Sequence, residues 1–256
     1  MKEYDLNKVF AQFDINIDAS PYGEGHINDT YLANVLPDKF ILQRINHDIF
    51  KSPEQVMRNI VLVTEYLRKI IIENGGNPDR ETLTVIKTTD GKDFYKSDDG
   101  NYFRLYLFID NAKTYQIVEK PEHFYYAARA FGKFQKQLSD FPADKLYETI
   151  PNFHNTKVRF DDFLTAIQED KAGRKNKVKA EIEFALAREE QVSVIVDAIQ
   201  KGELPLRVTH NDTKLNNLMI DDVTGEGICD IDIDNVSLGS LLYDYGYSFP
   251  CGTNHA

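Results

Sequence analysis

The stretch Val208-Thr-His210-Asn-Asp212-Thr-Lys214-Leu-Asn-Asn217-Leu-Met-Ile, followed by Ile231-Asp232-Ile-Asp234, constrains this chain more than any other feature. An Asp with a Lys two residues on, an Asn five residues on and a second Asp after a β-like apolar run is the minimal set of side chains for moving a phosphoryl group. That chemistry asks a protein to orient a hydroxyl, hold Mg²⁺ and neutralise charge on the γ-phosphate. Asp212 can accept the proton of the attacking hydroxyl, and Lys214 can approach the transferred phosphate. Asn217 and Asp232 offer the hard oxygen ligands that Mg²⁺ prefers, with water and phosphate filling the other positions. Asp234 is expected as a further metal ligand or a contact to the acceptor. A carboxylate with an ordinary pKa of about 4 is a weak base at neutral pH, adequate where its task is to orient the hydroxyl and take the proton late. Taken singly these residues say less, because Asn and Asp are common turn formers. A calcium-loop reading of Asp230, Asp232 and Asp234 fails, since Asn235 stands where that loop needs Gly and Leu241 where it needs Glu.

Composition narrows the partners. The net charge of −11 argues against nucleic acid, whose phosphates are bound mainly by Lys and Arg, but allows a nucleotide cleft lined by a few basic groups. Cys229 and Cys251 make neither a disulfide framework nor a zinc spacing and read as free thiols. The N-terminus is polar and no apolar run approaches a membrane-spanning length, so no membrane partner and a cytoplasmic location are expected. The N-x-S/T sequons at Asn28, Asn211 and Asn235 are read as chance, Asn211 lying inside the catalytic loop.

Along the chain, residues 4–13 have helical spacing. Thr30–Val35 and Lys39–Ile45 read as strands after a short glycine-rich loop, Gly23-Glu-Gly25-His-Ile-Asn28. Glycines there let backbone N–H groups approach phosphate oxygens; a tight β-turn is the plain alternative. Asn28 and Thr30 close the loop and are placed with the nucleotide. Ser52-Pro53 opens a helix whose apolar stripe runs to about Glu73, where Gly75-Gly76-Asn77-Pro78 breaks it. Strands are expected around Thr82–Lys87 and Tyr102–Asp110, with a hairpin near Asp98–Asn101. After Pro121 the pattern turns helical: His123–Leu138, Phe160–Glu169 and Val178–Gln200.

The spacing of the phosphoryl-transfer block resembles the catalytic loop and metal Asp of protein kinases, H-R-D-x-K-x-x-N and D-F-G. Asn211 stands in place of the Arg, and Ile233-Asp234 in place of Phe-Gly. Those departures resemble the aminoglycoside phosphotransferase and choline kinase superfamily. Four blocks resemble the N-acetylhexosamine 1-kinases within it: Pro21-Tyr-Gly23-Glu-Gly25-His26-Ile-Asn28-Asp-Thr30-Tyr, Phe40-Ile-Leu-Gln43-Arg-Ile-Asn46, Arg207 to Asn217, and Gly239-Ser-Leu-Leu-Tyr-Asp244-Tyr-Gly246. The similarity runs from about residue 20 to the end.

The resemblance implies an α+β, bilobal protein-kinase-like fold. Residues 1–108 would form a β-rich nucleotide-binding N-lobe with one long helix, 109–112 a hinge, and 113–256 a helical C-lobe carrying the catalytic loop. ATP and Mg²⁺ are the implied cofactors, and the anomeric hydroxyl of N-acetylgalactosamine or N-acetylglucosamine the implied acceptor. Phe108, Ile109 and Asp110 would meet adenine through their backbone. His210 would support the catalytic loop by hydrogen bonding and Asp244 would brace it. Gln43 occupies the position where kinases carry a phosphate-anchoring Lys. Arg44 points to the other face by strand alternation, and Arg58 or Glu65 on the following helix are candidate partners for Gln43. Two alternatives stay open. One is the same chemistry on choline, homoserine or an aminoglycoside, which the acidic balance favours for cationic acceptors. The other is nucleotide or sugar binding without turnover, because Gln43 brings no charge and the chain ends soon after Asp232. A C-lobe incomplete at that end is expected to leave core exposed and to lower stability or promote self-association.

Overall fold

The computed structural model describes residues 4–17, 19–23, 27–35 and 37–253. In chain order the elements are α1 (Leu6–Ala11), β1 (Ala19–Pro21), β2 (Asp29–Val35), β3 (Asp38–Ile45), α2 (Pro53–Glu73), α3 (Pro78–Glu81), β4 (Val85–Ile86), β5 (Tyr95–Lys96), β6 (Tyr102–Leu107), β7 (Ala112–Lys113) and α4 (Pro121–Gln137). Then come α5 (Thr156–Glu169), α6 (Lys179–Leu186), α7 (Val194–Gln200), β8 (Arg207–Thr209), β9 (Leu218–Asp221), β10 (Gly227–Asp230), β11 (Ser237–Gly239) and α8 (Leu241–Thr253). They form two compact units. One joins residues 1–150 with 207–256, and the other is Pro151–Leu206, which carries α5 to α7. No helix among the described residues is long and apolar enough to cross a membrane.

The first unit is built on an antiparallel sheet in the order β1-β2-β3-β6-β4, with β5 also paired to β6. Alternation along the two central strands divides the core. Leu42, Phe103 and Leu105 face α1, where they pack with Val9, Phe10 and Phe13. Ile45, Tyr102 and Tyr106 face the other way and join Met57, Ile60 and Val63 of α2. The same apolar cluster takes in Phe134 and Leu138 at the end of α4 and Val208, Ile233 and Val236 from the catalytic segment. One continuous core therefore backs both the sheet and the residues of the phosphoryl-transfer block. A small sheet, β10-β9-β7, and the β11-β8 pair complete the frame.

The long helix α2 begins at Pro53 and ends at Glu73, as its stripe predicts. Ser52 precedes it without making a side-chain cap bond. The expected helix over Val178–Gln200 is instead α6, a 3₁₀ turn at Glu189–Gln191 and α7. Continuing the apolar stripe from Ile182 and Leu186 by three or four residues lands on Glu189 and Glu190, and the stripe restarts out of phase at Val192. The expected strand at Thr82–Lys87 shrinks to Val85–Ile86.

Candidate active site

The β8–β11 pair delivers the chain into a loop, His210 to Lys214, that is fixed from several sides. Asp244, in the first turn of α8 and almost wholly buried, accepts the backbone N–H of Asn211 at 2.7 Å and that of His210 at 3.0 Å. It also receives Gln135 Nε2 from α4 at 3.0 Å. The His210 ring lies between Phe131 and Phe134. Its Nε2 is 3.0 Å from the Ile231 carbonyl, and its Nδ1 accepts the Asp212 N–H at 3.3 Å, which fixes the tautomer with the proton on Nε2. Asn211 takes a left-handed conformation, φ 68°, one that Asn tolerates better than most residues. Its amide donates to the Asn235 carbonyl at 2.7 Å and to Ser237 Oγ at 2.9 Å.

The loop brings together three of the residues singled out in the sequence. Asn217 Nδ2 donates to both the carbonyl and Oδ2 of Asp212, each at 2.8 Å. Lys214 Nζ stands 2.8 Å from Asp212 Oδ1 as an ion pair, and 5.7 Å from the Tyr247 ring centroid. Burial acts to lower the Lys214 pKa, but the Asp212 carboxylate outweighs it and the net shift is upward. Asp212 Oδ1 is buried, and Lys214 Nζ is its partner among the described residues. Because Asn217 commits its nitrogen to Asp212, its side-chain oxygen is the end available to a cation.

Asp232 follows β10 in a left-handed conformation, φ 57°, and opens a 3₁₀ turn over Ile233–Asn235. Such backbone, held in place by its surroundings, is a common mark of functional positions. Solvent reaches the Asp232 side chain, while the surrounding protein removes part of its hydration. That desolvation and the neighbouring Asp234 carboxylate push its pKa upward, Arg104 only partly offsetting them.

Asp234 points away from this opening. It is buried, with Oδ1 2.6 Å from Arg104 Nη1 and Oδ2 accepting Arg104 Nη2 at 2.9 Å and Asn28 Nδ2 at 2.8 Å. Both oxygens that might have met a metal or an acceptor are turned onto protein donors. Arg104, on β6 directly opposite Gln43 of β3, also gives Nε and Nη2 to Gln43 Oε1 at 3.0 and 2.8 Å. Gln43 Nε2 in turn donates to Thr30 Oγ1 at 3.1 Å, and Asn28 Oδ1 accepts the Asn46 N–H at 3.0 Å. Asn28, Thr30, Gln43 and Asp234 are thus one half-buried polar network centred on the fully buried Arg104, a residue that the sequence does not single out. Arg58, expected as a partner of Gln43, lies instead over the Tyr147 ring. Arg44 does face away, toward Asn101 and Asp29.

At the end of β6, Phe108 N–H bonds the Lys39 carbonyl at 2.9 Å, and the Asp110 carbonyl accepts Arg80 Nη1. Lys39 Nζ pairs with the Asp110 carboxylate at 2.5 Å, and Ile109 between them is buried. Tyr22 meets the Phe108 ring edge-on at 5.9 Å. Gly23 has φ 75° with open space where a Cβ would stand. Gly25 lies outside the described residues.

The donor set suits Mg²⁺. Asn217 and Asp232 are oxygen donors, and Mg²⁺ is commonly held by one or two such groups with phosphate oxygens and water rather than by an all-protein cage.

The antiparallel sheet, the long helix α2 and the His210–Asn217 loop braced by Asp244 form a kinase-like phosphotransferase fold. The chain belongs to the phosphotransferase enzyme family APH, whose family model matches residues 18–253. Solved structures of the same fold include an aminoglycoside phosphotransferase from Alicyclobacillus acidocaldarius subsp. acidocaldarius DSM 446 (TM-score 0.64, 12% identity, 97% of this chain and 71% of that one). A second is the GDP complex of aminoglycoside 2'-phosphotransferase-IIIa (TM-score 0.61, 15% identity, 93% and 74%). A third is spectinomycin phosphotransferase with ADP and spectinomycin (TM-score 0.52, 15% identity, 91% and 69%).

Proposed function

We propose that this protein transfers the γ-phosphoryl group of ATP to the anomeric hydroxyl of an N-acetylhexosamine. The observation that carries the phosphoryl-transfer reading is the state of Asp212. One carboxylate oxygen accepts Asn217 Nδ2, and the other is buried and paired only with the Lys214 ammonium among the described residues, a partner free to turn to phosphate. That oxygen is the proton acceptor for the incoming hydroxyl, and Asn217 keeps the carboxylate turned toward it. Lys214 neutralises charge building on the transferred group. Asn217 and Asp232 would hold Mg²⁺, which would supply electrostatic stabilisation of the phosphate oxygens. Asp244 and His210 keep the loop rigid, so that the base is oriented before the acceptor arrives.

Gly23 and Gly25 line the phosphates through their backbone. Phe108, Ile109 and Asp110 meet the adenine. The Phe108 N–H and Asp110 carbonyl are already bonded within the protein, so the remaining backbone groups of that stretch read the base. Residues 1–108, 109–112 and 113–256 serve as N-lobe, hinge and C-lobe. The N-acetylhexosamine acceptor rests on the four sequence blocks from Pro21 to Gly246. An anomeric hydroxyl, somewhat more acidic than an ordinary alcohol, suits a carboxylate as the base.

A cationic acceptor such as an aminoglycoside is the second reading, favoured by the net charge of −11. Incubation with Mg·ATP and N-acetylgalactosamine, N-acetylglucosamine, choline, homoserine and an aminoglycoside, followed by ³¹P NMR, separates the two. Sugar 1-phosphate is the expected product. Phosphorylation of only the cationic compounds would replace the first reading with the second, and no transfer to any of them would count against both.

A further inference from the structure

Asp234 and Arg104 are each about 2% exposed and form a charge pair that none of the proposed catalytic steps uses. Burying such a pair is costly, and it gains little stability over well-packed apolar residues. Its position gives it a different value. The turn that carries Asp232 is tied to the protein by its carbonyls: Thr149 Oγ1 to Asp234 O at 2.9 Å, Asn211 Nδ2 to Asn235 O at 2.7 Å and Asn59 Nδ2 to Val236 O at 2.9 Å. Among the described residues, Arg104 and Asn28 hold its side-chain charge. Arg104 is mounted in the middle of β6, which is paired on both sides. Gln43 takes two of the guanidinium donors, which orients the fork toward both oxygens of Asp234. A planar fork held in this way fixes direction as well as charge. A Lys at position 43 would set a second cation against Arg104 and remove its acceptor, which accounts for the neutral Gln at that place.

We propose that Arg104 is the positioning residue of the metal-bearing turn. From the strand next to β3, its guanidinium cancels the Asp234 charge and locks the turn so that Asp232 presents its carboxylate to the cation. This rests on the nucleotide–Mg²⁺ reading of the site. Arg104 touches neither substrate nor metal; it acts through Asp234, two residues from Asp232.

The test is direct Mn²⁺ binding by EPR in the presence of a non-hydrolysable ATP analogue, on the full chain. Three proteins are compared: wild type, the charge-free pair Arg104→Gln with Asp234→Asn, and Arg104→Lys. Partners one shell out from a metal ligand typically change metal affinity 10- to 100-fold. The double variant is expected to weaken Mn²⁺ binding by about that factor. Its unfolding midpoint should stay near wild type because no unpaired charge is left buried, and the KM for the acceptor should be unchanged. Arg104→Lys keeps the charge but cannot span Gln43 and both Asp234 oxygens, so it should weaken Mn²⁺ binding to a lesser degree. Wild-type Mn²⁺ affinity in the double variant overturns the proposal. If the double variant does not fold, wild-type affinity in Arg104→Lys overturns it. A wild-type protein that binds no Mn²⁺ with the analogue overturns the nucleotide-site reading itself, a result distinct from either of these.

Discussion

Asp244 accepts the consecutive backbone N–H groups of His210 and Asn211, one on each carboxylate oxygen. The bond ties the start of α8 to the loop two residues before Asp212. Replacing Asp244 by Ala leaves two buried N–H groups without an acceptor, at about 1–3 kcal/mol for each. We expect a lower denaturant midpoint together with a fall in phosphoryl transfer. An Asp244→Ala protein with unchanged stability would show that the brace is redundant.

Asp212→Asn preserves shape but removes the proton acceptor. Loss of a general base typically costs on the order of 10²–10⁴ in rate. Transfer should fall by that order while affinity for Mg·ATP, measured by calorimetry, stays within a few-fold. Retained transfer would remove Asp212 from its proposed role.

Asp230, at the end of β10, has a buried Oδ1 without a hydrogen bond among the described residues. Burial pushes its pKa up to about 6, with Asp244 adding to the rise and Lys133 opposing it. The folded protein then binds a proton more tightly than the unfolded chain. This group therefore costs stability as pH rises from about 4 through about 6. Asp230→Asn should be more stable than wild type at pH 7.5, by about 1–3 kcal/mol, with the advantage fading toward pH 4. Parallel stability curves for the two proteins would contradict this.

Gly239 closes β11 against β8. A Cβ there would stand 2.6 Å from Thr209 Oγ1 and 3.3 Å from the Tyr243 ring. Thr209 is fully buried and immediately precedes His210, so it cannot give way freely. Gly239→Ala should destabilise by about 1–3 kcal/mol and slow transfer; thermal unfolding of a variant matching wild type would show that the β8–β11 pair yields.

Local chemistry made the meeting of Asp212, Lys214 and Asn217 legible in the sequence. Asp212, Lys214 and Asn217 lie within six residues, so their spacing alone brings them together. The long helix was equally plain, because its apolar stripe is unbroken. Arg104 was not legible, since its partners are Gln43, 61 residues away, and Asp234, 130 residues away. The faint signal was a lone charge on the Tyr102-x-Arg104-x-Tyr106 face of an otherwise apolar strand. Asp234 was assigned to metal or acceptor from spacing alone, which does not reveal the Arg waiting on its other side. The break between α6 and α7 was visible in the phase of the stripe at Glu189 and Glu190.

Asn59, buried in α2, donates to the carbonyls of Val236 and Tyr147 and accepts the Tyr147 N–H. In protein kinases the corresponding helix swings, and its position controls activity. Here any swing must break three hydrogen bonds, one of them fully buried, and drag the Asp232 turn with it. A helix riveted in that way moves only as one body with that turn.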